Sequence, residues 1–160
     1  MKIGIISDTH DNLKLIEKAL AIFQKEEIEL LVHAGDLTSP QTLKYFKGFK
    51  SIFVKGNCDL DLRQANLEAA KLDFPEIKET AEFELDHKSF LVFHGNDIPL
   101  FREAVSSGKY DYIIKGHTHF SENYISNNTR IINPGSICGT GEISIAILDT
   151  ATEELRKINL

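Results

Sequence analysis

Lys2-Ile3-Gly4-Ile5-Ile6-Ser7-Asp8-Thr9-His10 decides how this chain is read, because an almost unbroken apolar run stops abruptly at a carboxylate and an imidazole. Such a run is expected of a strand buried on both faces, in a sheet covered by helices. Four more polar stops follow strand-like runs: Gly35-Asp36, Gly56-Asn57, His94-Gly95 and Gly116-His117-Thr118-His119. In open α/β sheets, ligands gather beyond the carboxyl ends of the strands. If these strands are neighbours, Asp8, His10, Asp36, Asn57, His94, His117 and His119 converge. Asp8 and His10 are two residues apart, as are His117 and His119, and an extended backbone would project each pair to one side. A glycine beside four of the stops permits tight turns and close backbone approach.

Strand and helix patterns alternate outward from these stops. Asp11 is placed to cap a helix over residues 12–25, with Leu13, Ile16, Leu20 and Phe23 on its apolar stripe. Residues 29–32 and 51–55 read as strands. Between them Ser39-Pro40 reads as an N-cap followed by Pro at the first helical position, with Leu43 and Phe46 facing inward. A short helix is expected after Asp59. Residues 80–85 and 89–93 resemble an antiparallel pair, and Asp97 with Pro99 marks a capped helix to about Ser107. Strands over 112–115, 121–126, 130–133, 142–148 and 154–158, with turns at Asn127-Asn128 and Thr150-Ala151-Thr152, complete a second half expected to be antiparallel. The fold class is α/β, as one domain spanning residues 1–160.

Composition narrows the functions. The 160 residues hold 42% apolar and 26% charged residues, ordinary for a globular chain large enough for a core. No apolar stretch approaches the ~20 residues of a membrane span, and Met1-Lys2 lacks the order of a signal peptide, so no membrane association and a cytoplasmic location are expected. The formal net charge of −6, with no basic run, argues against a polymeric nucleic acid as substrate. Cys58 and Cys138 are too few and too scattered for a disulfide framework and read as free thiols.

The donor set carries the chemistry. Two carboxylates, one amide and four imidazoles suit two first-row divalent ions better than one, and exclude the usual Cys-rich structural zinc site. Two such ions bring four positive charges, while Asp8, Asp36 and a hydroxide return three, so the site stays cationic within an acidic chain and attracts a phosphate ester. Taken singly, each residue has a plainer reading: Asp8 and Asn57 as turn residues, His94 as a satisfied buried histidine. Only their co-occurrence at strand ends makes a site. His33 reads as structural and His87 as a solvated turn residue.

Asp8-x-His10, Gly35-Asp36, Gly56-Asn57, His94-Gly95 and Gly116-His117-x-His119 resemble, in order, the motif blocks of the calcineurin-like metallophosphoesterases. Gly56-Asn57-Cys58-Asp59 and Asn133-Pro134-Gly135-Ser136 look like the subgroup of small prokaryotic phosphodiesterases. The resemblance implies a four-layer α-β-β-α sandwich of two mixed sheets, with a dinuclear metal site at the strand ends. It implies Asp8, His10, Asp36 and His119 on one ion, and Asp36, Asn57, His94 and His117 on the other. Manganese or nickel is expected, with iron, cobalt or zinc as alternatives. A metal-bridging hydroxide would attack a small phosphodiester in line, with Asp36, Asn57 and His94 in the catalytic set. Many members carry His where Cys58 stands, and a thiol of ordinary pKa ~8.5 is a mediocre acid for a leaving group. Asn12 is placed either to touch substrate or to cap the first helix. Ser136 and Cys138 are expected to border the cleft. A phosphomonoesterase is the runner-up, with Lys55, Arg63 and Arg102 as the cations that could clamp a terminal phosphate. A scaffold is the reading of a different class, since one retromer subunit resembles this fold yet serves as a binding platform. The subgroup also implies a homodimer or homotetramer; the apolar hairpin near Phe90–Phe93 reads equally as a contributor to it or as buried core.

Overall fold

The computed structural model describes residues 1–59 and 61–160. The first five-stranded sheet runs in the order β10-β9-β1-β2-β3, comprising β1 (Lys2–Ile6), β2 (Leu30–His33), β3 (Ser51–Phe53), β9 (Ser144–Asp149) and β10 (Leu155–Asn159). The second runs β4-β5-β6-β8-β7, comprising β4 (Thr80–Leu85), β5 (Lys88–Phe93), β6 (Tyr112–Ile114), β7 (Ser121–Ser126) and β8 (Thr129–Pro134). Both sheets are mixed. β1, β2 and β3 are parallel in one, and β5, β6 and β8 in the other. The expected antiparallel second half is therefore corrected: its hairpins and the pairing of β9 with β1 are antiparallel, but α3 (Ile98–Ser107) and β7 return the chain to add β6 and β8 in parallel.

Period-two alternation along the strands builds the layers. Ile3, Ile5, Leu30 and Val32 meet Phe90, Val92, Tyr112, Ile114 and Ile132 between the sheets. From the opposite face of the first sheet, Ile6, Leu31, Ile145 and Ile147 meet Ile16, Leu20 and Phe23 of α1 (Leu13–Lys25), Leu43 and Phe46, and Ala69 of α2 (Leu62–Lys71). α3 covers the second sheet through Ala104 against Leu91, Phe93, Ile113 and Ile131. The result is the four-layer α-β-β-α sandwich. Phe90–Phe93 are all buried, so that stretch is core and presents no apolar surface to a second copy.

Local chemistry sets the ends of the elements. Asn12, not Asp11, caps α1, accepting from the Leu15 amide. Asp11 instead receives the Ser39 amide and the Ser39 and Thr42 hydroxyls. Its carboxylate therefore ties the loop after β1 to a 3₁₀ helix, Pro40–Phe46, and Ser39 makes no side-chain cap there. Leu13 lies half out of the expected stripe at 38% exposure. Asp97 caps α3 through the Leu100 amide as expected. The hairpin turns at Asp86-His87 and Asn127-Asn128 both place two residues at positive φ, the geometry of a two-residue type I′ turn.

Candidate metal centre

All six parallel strands point their carboxyl ends at one rim, and the loops that leave them are stitched together there. The Asp8 amide donates to the Gly35 carbonyl and the His10 amide to that of Asp36, joining the loops after β1 and β2. The Gly116 amide donates to the His94 carbonyl, and the His117 amide to Asp8 Oδ2 at 3.1 Å, which joins the second sheet to the first. The Ser136 hydroxyl donates to the Asp8 carbonyl, adding the loop after β8.

The expected extended pairs are not what brings these side chains together. Asp8, His10, Asp36, His117 and His119 all have positive φ, between 40° and 70°. Left-handed backbone at non-glycine residues is uncommon and concentrates at functional sites. Glycine is needed where loops touch. A Cβ on Gly56 would lie 2.0 Å from Asp36 Oδ1, and one on Gly116 would lie 1.9 Å from Ser7 Oγ and 2.6 Å from Asp8 Oδ2.

At the centre, imidazole nitrogens face carboxylates without forming hydrogen bonds to them. His94 Nε2 lies 3.3 Å from Asp36 Oδ2 and 3.9 Å from Asp8 Oδ1. His119 Nε2 is 3.2 Å from Asp8 Oδ1, and His10 Nε2 is 3.4 Å from Asp36 Oδ2. Among the described residues, Asp8 Oδ1, His10 Nε2 and His94 Nε2 are buried atoms with no hydrogen-bond partner. His94 Nδ1 approaches the Ala34 carbonyl at 2.8 Å. A carbonyl only accepts, so Nδ1 carries the proton, and in the neutral ring the Nε2 lone pair faces two carboxylates. That arrangement is repulsive unless a cation stands between them, and an outward N–H to a backbone carbonyl is what orients histidine ligands of metals.

The electrostatics agree. Burial opposes the charge on Asp36, but the neighbouring His94 imidazole and the bond from the Cys58 amide outweigh it and hold the carboxyl well below the usual range. Burial also opposes protonation of His94, yet Asp36, the Ala34 carbonyl and Asp8 raise it above an ordinary histidine. Burial and the neighbouring His94 lower His117.

Asp8, His10, Asp36, His94 and His119 are thus brought together, and the His117 ring lies 5.2 Å from that of His94. Asn57 is at the rim but exposed, its amide donating to Cys58 Sγ. Donor atoms within 4.8 Å of one another occur in Asp8-Asp36-His94, in His10-Asp36-Cys58 and in His10-His119-Cys138, so both thiols border the cluster. Burial, and then Asp36, push the Cys58 thiol up to about 11. Lys55 is paired with Glu79, and Arg63 and Arg102 are exposed on α2 and α3.

Two organising residues escaped the sequence reading. Asp59 accepts the amides of Asp36, Gly56 and Thr38. Buried Asn133 donates to the Gly116 carbonyl and the Thr118 hydroxyl, fixing the loop that carries His117 and His119. Only the sequence adjacency of Asp59 to Gly56-Asn57 and of Asn133 to Pro134-Gly135 hinted at either. His33 is structural: the Gly35 amide donates to its Nδ1, so Nε2–H is given to the Thr9 hydroxyl.

Comparison with known proteins places this rim in context. Residues 1–153 match the family model described as the calcineurin-like phosphoesterase superfamily domain. A phosphodiesterase of Methanocaldococcus jannaschii is 37% identical over 165 residues, covering 100% of this chain and 99% of that protein. A solved structure described as a novel archaeal phosphodiesterase, also 37% identical, superposes with a TM-score of 0.94 over the whole of both chains. Wild-type Vps29 of Entamoeba histolytica, solved in complex with zinc, shares 16% identity and a TM-score of 0.71 over 99% of each chain, a likeness of fold alone.

Proposed function

This chain belongs to the calcineurin-like phosphoesterase superfamily, and from that premise we propose that it is a phosphodiesterase acting on a small substrate at a dinuclear centre. One observation carries the centre: buried, unpartnered Asp8 Oδ1 and His94 Nε2, a carboxylate oxygen and an imidazole lone pair facing each other with nothing between to reconcile them. The full-length likeness to a phosphodiesterase supports the reaction class.

The residues fit two ions, with Asp8, His10, Asp36 and His119 for one and Asp36, Asn57, His94 and His117 for the other. Resemblance to the subgroup favours manganese or nickel, with iron, cobalt or zinc as alternatives that the mixed O/N donors accept equally. When bound, such ions supply hydroxide near neutral pH and offset charge on the phosphoryl oxygens. The protein's own part is preorganisation. The Cys58 amide holds Asp36 Oδ1, leaving Oδ2 to His10 and His94. The His117 amide holds Asp8 Oδ2, leaving Oδ1 free. Asn12 Oδ1 is committed to the helix cap, so only its Nδ2 remains to meet substrate. Cys58 stays a protonated thiol and a poor acid, which favours esters whose leaving groups need little protonation.

A diester is preferred to a monoester because the three cations that could clamp a terminal dianion are paired elsewhere or exposed on helices. The test is hydrolysis of bis(p-nitrophenyl) phosphate by chelator-stripped protein, before and after adding Mn²⁺, beside the corresponding monoester. Metal-restored turnover that is much greater on the diester is expected. Greater monoester turnover would promote a phosphatase, and no turnover with Mn²⁺, Ni²⁺, Co²⁺ or Zn²⁺ would point to a binding platform.

A further inference from the structure

The loop after β8 reaches the same rim as the other five ligand-bearing loops, and its donor is a thiol. Cys138 Sγ lies 3.6 Å from His119 Nδ1, and its donor atom falls within 4.8 Å of those of both His119 and His10. Ser136 Oγ, whose proton goes to the Asp8 carbonyl, lies 3.0 Å from Sγ, and the Thr140 hydroxyl approaches Sγ at 2.9 Å. The loop is pinned on its partner, since a Cβ on Gly141 would lie 2.4 Å from the His119 carbonyl oxygen. Around Gly139 it has room, with only Asn12 Nδ2 near, at 4.0 Å from where a Cβ would be.

We propose that Cys138, His119 Nδ1 and His10 form a second, thiophilic cation position that shares His119 and His10 with the dinuclear centre. This inference rests on the reading of that centre. For a tetrahedral ion with M–N of ~2.0–2.1 Å and M–S of ~2.3 Å, the nitrogen-to-sulfur edge is roughly 3.6 Å. The Sγ-to-Nδ1 distance already matches it. The third donor must close by roughly 1.5 Å at most to meet the same geometry.

The two positions exclude each other. A neutral imidazole has one lone-pair nitrogen. With an ion held between Nε2 and Asp8, the lone pair is used at Nε2 and the ring proton sits on Nδ1, which faces the Thr140 hydroxyl at 3.1 Å. An ion on Nδ1 takes that lone pair, so the ring proton moves to Nε2 and the dinuclear centre loses a ligand. The thiol proton leaves to solvent, one per ion bound. Thiolate selects soft ions such as Cd²⁺ or Zn²⁺ and is indifferent to Mn²⁺ or Mg²⁺. The position is therefore an inhibitory one, by which a thiophilic ion expels the ion held through His119.

Cd²⁺ titrated into Mn²⁺-loaded protein tests this. Expected are an ultraviolet sulfur-to-cadmium charge-transfer band in the wild type and in Cys58→Ser, its loss in Cys138→Ser, and release of Mn²⁺ seen by electron paramagnetic resonance as the band grows. In the unaltered protein, Cd²⁺ should also shield Cys138 from iodoacetamide, read by peptide mass, which needs no variant to fold. A band that survives Cys138→Ser, or is lost only in Cys58→Ser, overturns the proposal, as does unshielded Cys138. A band without Mn²⁺ release overturns the sharing of His119. Failure of stripped protein to take up Mn²⁺ would count against the dinuclear reading, while the band and the shielding still decide the thiol position.

Discussion

Replacing Asp59 by alanine should loosen the metal centre without removing a ligand. The carboxylate accepts the Asp36 amide at 3.0 Å and the Gly56 amide at 2.7 Å through Oδ2, and the Thr38 amide at 2.6 Å through Oδ1. It therefore holds the loop after β2 against the loop after β3, including the left-handed turn at Asp36. Water can replace the exposed Thr38 bond in the variant, but the two part-buried bonds have no substitute. At the low end for hydrogen bonds to a charged group, each contributes ~1.5 kcal/mol, so Asp59→Ala should lose about 3 kcal/mol. In a chain of this size that is a fall in Tm of roughly 6–12 °C. Since Asp36 moves with the loop, Mn²⁺ affinity should weaken roughly 10–100-fold, as for other groups that orient ligands from behind. Melting in chelator reads the first effect free of metal linkage, and calorimetric Mn²⁺ titration reads the second. Asp59→Asn keeps one acceptor oxygen and should fall between. A chelated melting temperature within about 2 °C of wild type, equivalent to about 0.5–1 kcal/mol, together with unchanged Mn²⁺ affinity, would refute the role given to this carboxylate.

Other perturbations probe the same rim. Gly116→Ala puts a methyl 1.9 Å from Ser7 Oγ, which is itself bonded to the Ala34 carbonyl, so overpacking should cost ~1–3 kcal/mol and displace Asp8; a chelated melt and a Mn²⁺ titration both decide it, and a neutral result would mean the loops part easily. Burial, and then His94, lower His33 to about 3, so below its ordinary value of ~6.5 the unfolded chain binds a proton the folded one refuses. Stability is fully present above that value and falls with acid, by about 2 kcal/mol between pH 7.5 and pH 5. In chelated urea unfolding, His33→Gln should flatten this dependence, and an unchanged slope would contradict it. Metal addition should stabilise by mass action, about 2.7 kcal/mol at 100 times the dissociation constant; no shift of the melt with Mn²⁺, Ni²⁺, Co²⁺ or Zn²⁺ would argue against a resident ion.

The sequence was most legible where one residue property dominates. Apolar runs placed the strands, and the polar stops after them picked out side chains that meet at one rim, because a carboxylate or imidazole recurring at several strand ends is a pattern that no single residue carries. Asp97 and the turns at Asp86-His87 and Asn127-Asn128 were readable since their caps and dihedrals depend on near neighbours. Pairing was not readable in this way. Whether the run over 112–114 adds parallel or antiparallel depends on where α3 delivers the chain, and that is set by packing of Ala104 against Leu91 and Ile113 rather than by local pattern. Asp11 and Asn12 show the limit at single residues. Both are good caps, and the choice falls to Asn12 because Asp11 has a distant use, its contacts with Ser39 and Thr42.

The pairs Asp8/His10 and His117/His119 carry the sharper lesson. Spacing by two was correctly taken to mean convergence, but for the wrong geometric reason, since all four residues are left-handed and none relies on strand alternation. An isolated chain would rarely hold that backbone, which costs on the order of 1–3 kcal/mol per residue at sites of this kind. It persists here because backbone bonds from the loops after β1, β2, β5, β6 and β8 over-determine it, several of them ending on Asp8 or Asp36 themselves. Those bonds use up one oxygen of each carboxylate and leave the other aimed inward, unpartnered in Asp8. Strain fixed by the scaffold and polarity left unsatisfied at its centre are two faces of one design, whose missing element is a positive charge. This is why metal binding and folding stability should move together in every variant that disturbs the rim.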